Sequence, residues 1–136
     1  MRGWIGRIAM VLVLAPLLLA PILLRPAQAG AGPVDWHEVP ATEEGRQWWD
    51  AGSLRITRDG HLSVLSRFQP SEEGSRGQLY VMELDCDQEL FRDTSVNGLP
   101  RFGAEWQAAA GDALSTATLR EACRAGTALL AKALDD

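Results

Sequence analysis

SLRITRDGHLSVLSRF, residues 53–68, is the stretch on which the fold turns. Leu54 and Ile56 alternate with Ser53, Arg55 and Thr57, the period of a half-buried strand. Leu62, Val64 and Phe68 alternate likewise with Ser63 and Arg67, and Arg58-Asp59-Gly60 between the two runs is a turn signal. A two-residue Asp-Gly turn would set Ile56 opposite Ser63 and Leu54 opposite Leu65. Leu62, Val64 and Phe68 would then lie on the wrong face. A three-residue loop, Arg58 to Gly60, sets Ile56 opposite Leu62 and Leu54 opposite Val64. Directly opposed residues share a face, so this register gathers the apolar set and is the one expected. Gly60 should then be left-handed, as a bulge.

Working outward, Asp35 to Val39 reads as a short first strand stopped by Pro40. Ala41 to Gly45 is an acidic turn, and Arg46 to Asp50 resumes an extended segment. Downstream of the hairpin, Gln69 to Gly77 is a polar loop. Gln78 to Cys86 is the strongest strand, with Tyr80, Met82, Leu84 and Cys86 on one face and Glu83 and Asp85 on the other. Leu90 to Asp93 makes a short strand. Thr94 to Gly103 reads as a loop with Asn97-Gly98 and Leu99-Pro100 turns, and Glu105 to Gln107 as a last extended piece.

From Asp112 onward, Ala, Leu, Arg, Glu and Lys dominate without proline, which predicts a helix. Leu119, Cys123, Gly126, Leu130, Ala133 and Leu134 fall within about 100° on its wheel, and Leu114 lands on the opposite side. Two starts are open: Thr118, with Glu121 at capping-box spacing, or Asp112 as the cap.

The N-terminus has the form of a secretory signal. Arg2 and Arg7 precede a 17-residue run without charge, Ile8 to Leu24, and Ala27-Gln28-Ala29 places small residues about a cleavage point. The run approaches the roughly 17–25 residues of a membrane anchor. Pro16 and Pro21 inside it, and the small residues after it, favour residues 1–29 as a signal peptide cut before Gly30. The remainder, residues 30–136, is a single domain with a core at 36–123 and a helical tail to 134. It keeps 10 basic and 18 acidic residues, a net charge of −8. Nucleic acid requires clustered Lys and Arg, and anionic lipid repels such a chain, so neither is an expected partner.

A domain this small buries a modest fraction of its surface. In an exported chain, Cys86 and Cys123 therefore read as a disulfide staple rather than as free thiols. The two cysteines are 37 residues apart, and closing a loop of that length contributes roughly 3–4 kcal/mol. Cys86 points inward from its strand and Cys123 sits in the helix stripe. The expected fold is α+β: an antiparallel sheet of about five to six strands with one C-terminal helix packed across a face and tied by the disulfide.

Trp36, then Trp48-Trp49-Asp50, Ser53-Leu54-Arg55 and the Asp59-Gly60 turn come in a telling order. Leu84-Asp85-Cys86, Phe91-Arg92, Trp106 and Gly111-Asp112 before a helix with Cys123 complete it. This resembles the surface-adhesin protein E-like domain of small exported bacterial proteins, over about Trp36 to Cys123. The resemblance implies an antiparallel sheet with a tethered C-terminal helix, and members that bind host proteins at the cell surface. Arg92 to Gly98 and the tail after Cys123 depart from the usual pattern. Few lysines and many alanines are also read as a cyanobacterial trait, which would favour a periplasmic or thylakoid-lumen address over a cell surface.

Catalytic and metal motifs are weak. His61 follows a turn, where an exposed polar residue needs no catalytic reason, and a strand sends His37 to the face opposite Asp35 and Glu38. Neither Gly52-Ser53-Leu54 nor Gly74-Ser75-Arg76 is a nucleophile elbow. Asp85, Asp87 and Glu89 suggest a calcium loop, but Leu90 and Val96 stand where its Gly and Glu belong. No catalytic residue, metal or cofactor is expected.

The expected function is a non-enzymatic, exported binding or scaffold module with a protein partner. The alternatives are an accessory subunit of an envelope or photosynthetic membrane complex, and a small hydrolase or metal-dependent enzyme. Two carboxylates beside His37 would favour the last. The expected binding residues are Trp49, Arg92, Asp93 and Asn97. Trp49 is chosen because adjacent strand residues face opposite ways, and counting back by twos from Ile56 puts Trp48 inside and Trp49 outside. A bulge at Gly52 would reverse the pair.

Overall fold

The computed structural model describes residues 32–135, so the expected signal segment and its expected cut before Gly30 lie outside the described residues. Seven strands precede one helix: β1 (Trp36–Glu38), β2 (Gly45–Ile56), β3 (Leu62–Pro70), β4 (Gln78–Asp85), β5 (Leu90–Val96), β6 (Leu99–Pro100), β7 (Gln107–Ala108) and α1 (Ala113–Asp135). All pairings are antiparallel. The sheet runs β1-β2-β3-β4-β5-β6, and β7 also pairs with β5. The expected α+β fold is present, with the helix across one face and Cys86 bonded to Cys123 at a Cα separation of 5.8 Å. Among the described residues, no helix is long and apolar enough to cross a membrane.

The hairpin takes the expected register. Ile56 lies opposite Leu62, and the Thr57 and Gly60 amides donate to the carbonyls of His61 and Thr57 respectively. Gly60 is left-handed, with φ +82°. The strand β3 then alternates cleanly: Leu62, Val64 and Ser66 face the helix, while Ser63, Leu65 and Arg67 face away.

Further back the register changes. Arg55 pairs with Ser63, and the next regular pair is Asp50 with Leu65. Five steps along β2 thus match two along β3, an excess of three residues, so the expected pairing of Leu54 with Val64 is not made. An odd excess inverts the faces of everything upstream. Trp49 is therefore the buried indole, 4% exposed, and Trp48 lies on the other side, half-buried. This corrects the expected orientation of the pair.

Local chemistry fixes the bulge. The buried Asp50 carboxylate accepts the Gly52 amide at 2.9 Å and the Asp35 amide at 2.7 Å. The Ser53 hydroxyl donates to the Asp50 carbonyl and accepts the Leu65 amide. Position 52 must be glycine, since a Cβ there would lie 2.0 Å from the Pro33 carbonyl oxygen.

Three other expectations are corrected. The segment after Asp93 is a hairpin rather than a loop: β5 runs to Val96 and returns as β6 through Asn97-Gly98. Both turn residues have positive φ, +51° and +80°, as a two-residue turn matched to strand twist requires. The helix begins at Ala113 with Asp112 as its cap, the Asp112 carboxylate accepting the Leu114 amide at 3.0 Å, so a start at Thr118 fails. Leu114 is buried, whereas Ala133 and Leu134 at the far end of the expected stripe are exposed.

The core is Leu62, Val64, Met82, Leu84 and Phe91 of the sheet against Leu114, Leu119 and Ala122 of α1. Burying each large side chain contributes about 1.5–3 kcal/mol. Close approach of α1 depends on Gly126, whose missing Cβ would stand 2.5 Å from Leu62 Cδ1.

Candidate binding site

One face of the sheet carries the helix; the other, among the described residues, is open at its β1–β3 end. On the open face the register brings Trp36 and Glu38 of β1, Arg46 and Trp48 of β2, and Arg67 of β3 together. Trp36 pairs with Asp50, Glu38 with Trp48, and Trp48 with Arg67. The Arg67 guanidinium lies over two indoles, 4.4 Å from the centroid of Trp48 and 4.9 Å from that of Trp36. Arg46 lies 4.8 Å over Trp48 and donates two hydrogen bonds to Glu38, at 2.6 and 2.7 Å. That bond holds the Glu38 carboxyl below the usual carboxylate range and raises Arg46. A groove beside this group is lined by Trp48, Arg67, Phe68, Gln78, Leu79 and Asn97.

The far end of the same face repeats the theme. Arg92 donates to the Glu83 carboxylate at 2.9 and 2.8 Å and lies 4.4 Å over the Trp106 ring. His61 Nδ1 is 3.0 Å from Glu83 Oε1, its Nε2 is 3.7 Å from Asp85 Oδ2, and its ring meets Trp106 edge-on at 4.8 Å. The Glu83 side chain is 8% exposed and also accepts from Thr57. A buried carboxylate with these partners is satisfied rather than poised.

The four expected binding residues do not converge. Trp49 sits beneath the helix on the covered face, where its Nε1 donates to Glu121 at 3.0 Å and His37 stacks on it at 4.8 Å. Arg92 is on the open face, paired as described. Asp93 points to the covered side, into a cavity of about 250 Å³ with Gln47, Tyr80 and Ser115. Burial pushes its carboxyl up, against the pull of Arg101, and burial likewise raises the Tyr80 hydroxyl. Asn97 borders the open-face groove, its side-chain oxygen accepting the Leu79 amide at 2.9 Å.

Sequence reasoning passed over Trp48, Arg67, Trp36 and Trp106. Once the Asp50–Leu65 register is known, alternation alone assigns Trp48 and Arg67 to one face. His61 also has more neighbours than its place beside a turn suggested, because β4 sets Glu83 directly across from Ser63.

The chemistry of these groups is limited. Among the described residues no hydroxyl hydrogen-bonds to either ring nitrogen of His61 or His37, so neither forms the nucleophile–base pair of a serine triad. His37 has one carboxylate beside it, Asp35 at 3.1 Å, which corrects the expectation that both acids lie away from it, while Glu38 pairs with Arg46 on the other face. Ligand atoms of Asp59, His61 and Glu83 lie within 4.8 Å of one another and could hold a cation. The Arg92 guanidinium already bound to Glu83 opposes one by like charge. Asp85, Asp87 and Glu89 do not converge: Asp85 accepts from Gln88, and Glu89 pairs with Arg120 at 3.2 Å.

The sequence model described as the surface adhesin-E family matches residues 37–129. That span takes in every strand but the first residue of β1 and most of the helix. No curated protein and no solved structure matches the chain.

Proposed function

The chain belongs to the surface adhesin-E family, and from that premise we propose an exported, non-enzymatic binding module that meets its protein partner through the open face of the sheet. The observation that carries this reading is the Trp36–Arg67–Trp48 group: two half-buried indoles and an exposed arginine held in fixed geometry outside the core. Trp and Arg dominate binding hot spots because they bring large contact area and directional charge together. Membership of an adhesin family and a structural disulfide both suit an extracytoplasmic or surface location. In this reading residues 1–29 direct export and are cut off before Gly30.

Of the expected binding residues, Asn97 flanks the proposed surface and Arg92 stiffens its far end. Trp49 and Asp93 support the covered side, so Trp48 takes the role first given to Trp49. The experiment is site-specific photo-crosslinking in cells that produce the protein. A benzophenone side chain replaces Trp36 or Leu79 on the open face, and Lys132 on the exposed helical tail as control. Discrete adducts from the open-face positions and none from Lys132 are expected. Adducts of equal yield from Lys132, or none from the open face, would overturn the proposal.

A further inference from the structure

Three arginines on the open face are stacked on indoles, and two of them hold a carboxylate of this chain. Arg46 lies over Trp48 and binds Glu38; Arg92 lies over Trp106 and binds Glu83. Arg67 has two indoles and, among the described residues, no carboxylate within ion-pair distance and no hydrogen bond from its guanidinium. We propose that Arg67 is a docking point for a carboxylate side chain of an acidic peptide segment of the partner, which completes the unit that the chain builds twice from its own residues. The inference rests on the open face being the binding surface and gives that surface its chemistry.

Several observations favour it. A guanidinium stacked against two rings has little freedom left to lose, and its edge presents a planar fork matched to a carboxylate. The exposed charge at this spot is positive: two guanidiniums, Arg46 and Arg67, share one exposed carboxylate, Glu38, while the Asp50 carboxylate behind them is buried on backbone amides. That spot stands on a chain of net charge −5, so an acidic segment is drawn to this place rather than to the surface at large.

A peptide fits better than the other bearers of acidic groups. Arg46 and Arg67 occupy indole surface that a sugar ring would need for stacking. An anionic membrane would meet the chain's net negative charge over a broad area. The adjoining groove, with Leu79 40% exposed beside Phe68, offers an apolar seat for the side chain next to the carboxylate. The class inferred is therefore Glu or Asp beside an apolar residue, in an exposed segment of a protein.

The test uses the chain from residue 30 and follows indole fluorescence, since Trp36 and Trp48 flank the site. The probes are a short peptide of Glu and Leu, its counterpart with Gln for every Glu, and oligogalacturonate. The Glu peptide should bind about tenfold more tightly than the Gln peptide, the scale of one charge-assisted pair. Arg67→Gln should abolish that preference, because no cation is left there to favour carboxylate over amide, while the urea transition stays cooperative. Arg76→Gln, in the loop before β4, should keep it. Equal binding of the two peptides, a preference that survives Arg67→Gln, or binding of oligogalacturonate without the peptide would overturn the inference. Loss of peptide preference with open-face crosslinking intact would remove this chemistry alone; loss of crosslinking would remove the surface itself.

Discussion

The two sides of one sheet are built by different physics. Beneath α1, Leu62, Val64, Met82 and Leu84 are at most 2% exposed, and order there comes from apolar burial, tight packing and the disulfide. On the open side no element among the described residues covers the group at Trp36, Trp48 and Arg67, and order comes from cation–π stacking and exposed ion pairs. A cation–π contact at such a site contributes about 0.5–1 kcal/mol, and an exposed ion pair, screened by solvent, adds little. The covered side thus sets whether the domain folds, while the open side holds side chains in place at small cost. Substitutions on the first should register in melting, and those on the second in binding.

The largest expected effect breaks the comparison at two neighbouring residues. Trp49→Ala should lower stability by about 3–5 kcal/mol, since it empties a buried site and orphans the hydrogen bond to Glu121. Trp48→Ala should cost about 1 kcal/mol or less. Urea unfolding of the two variants checks both figures, and similar losses would erase the distinction between the faces. Next comes the staple. Cys123→Ser should lower stability by about 2–5 kcal/mol, with a matching fall in the wild type's melting temperature under reductant.

Smaller still is the packing of helix on sheet. Gly126→Ala would gain about 1 kcal/mol in helix propensity. It should nonetheless destabilise by about 1–3 kcal/mol, because the new methyl meets Leu62, which is fully buried and has nowhere to move. Thermal melting of the single variant decides the sign, and a rise would mean that the contact is looser than described.

The smallest effect depends on pH. Burial raises the Asp93 carboxyl, so the folded state prefers it neutral. Its contribution is full below the unfolded-state value and is lost as pH rises through the raised folded-state value. Asp93→Asn should therefore stabilise the domain at neutral pH, by an amount that shrinks as the solution is acidified through the carboxylate range. A difference that stayed constant with pH would show that burial of charge is not its origin.

Much of the covered face was legible because it follows period alone. Leu62, Val64, Met82 and Leu84 lie where alternation put them, and the three-residue loop came from requiring that opposed apolar residues share a face. The three-residue excess in β2 was not legible, because a side chain and a distant backbone make it: Asp50 gathers the Gly52 and Asp35 amides, and Pro33 closes on Gly52. Gly52 hinted at a bulge, but one glycine does not say whether the shift is odd or even. The Asn97-Gly98 turn was visible, yet its flanks are polar or only two residues long and gave no strand signal. Of the candidate surface, the sequence offered the residue types but not their partners, since the pairing of Trp48 with Arg67 depends on the same hidden shift.

The central claim, that this shift hands one of two adjacent indoles to the core and the other to the surface, is most directly tested by hydroxyl-radical footprinting of the folded chain, read by mass spectrometry at single residues. Trp48 should be oxidised several-fold faster than Trp49, and the two should become equal once the chain is unfolded in urea. Equal rates in the folded chain, or faster oxidation of Trp49, would contradict the account.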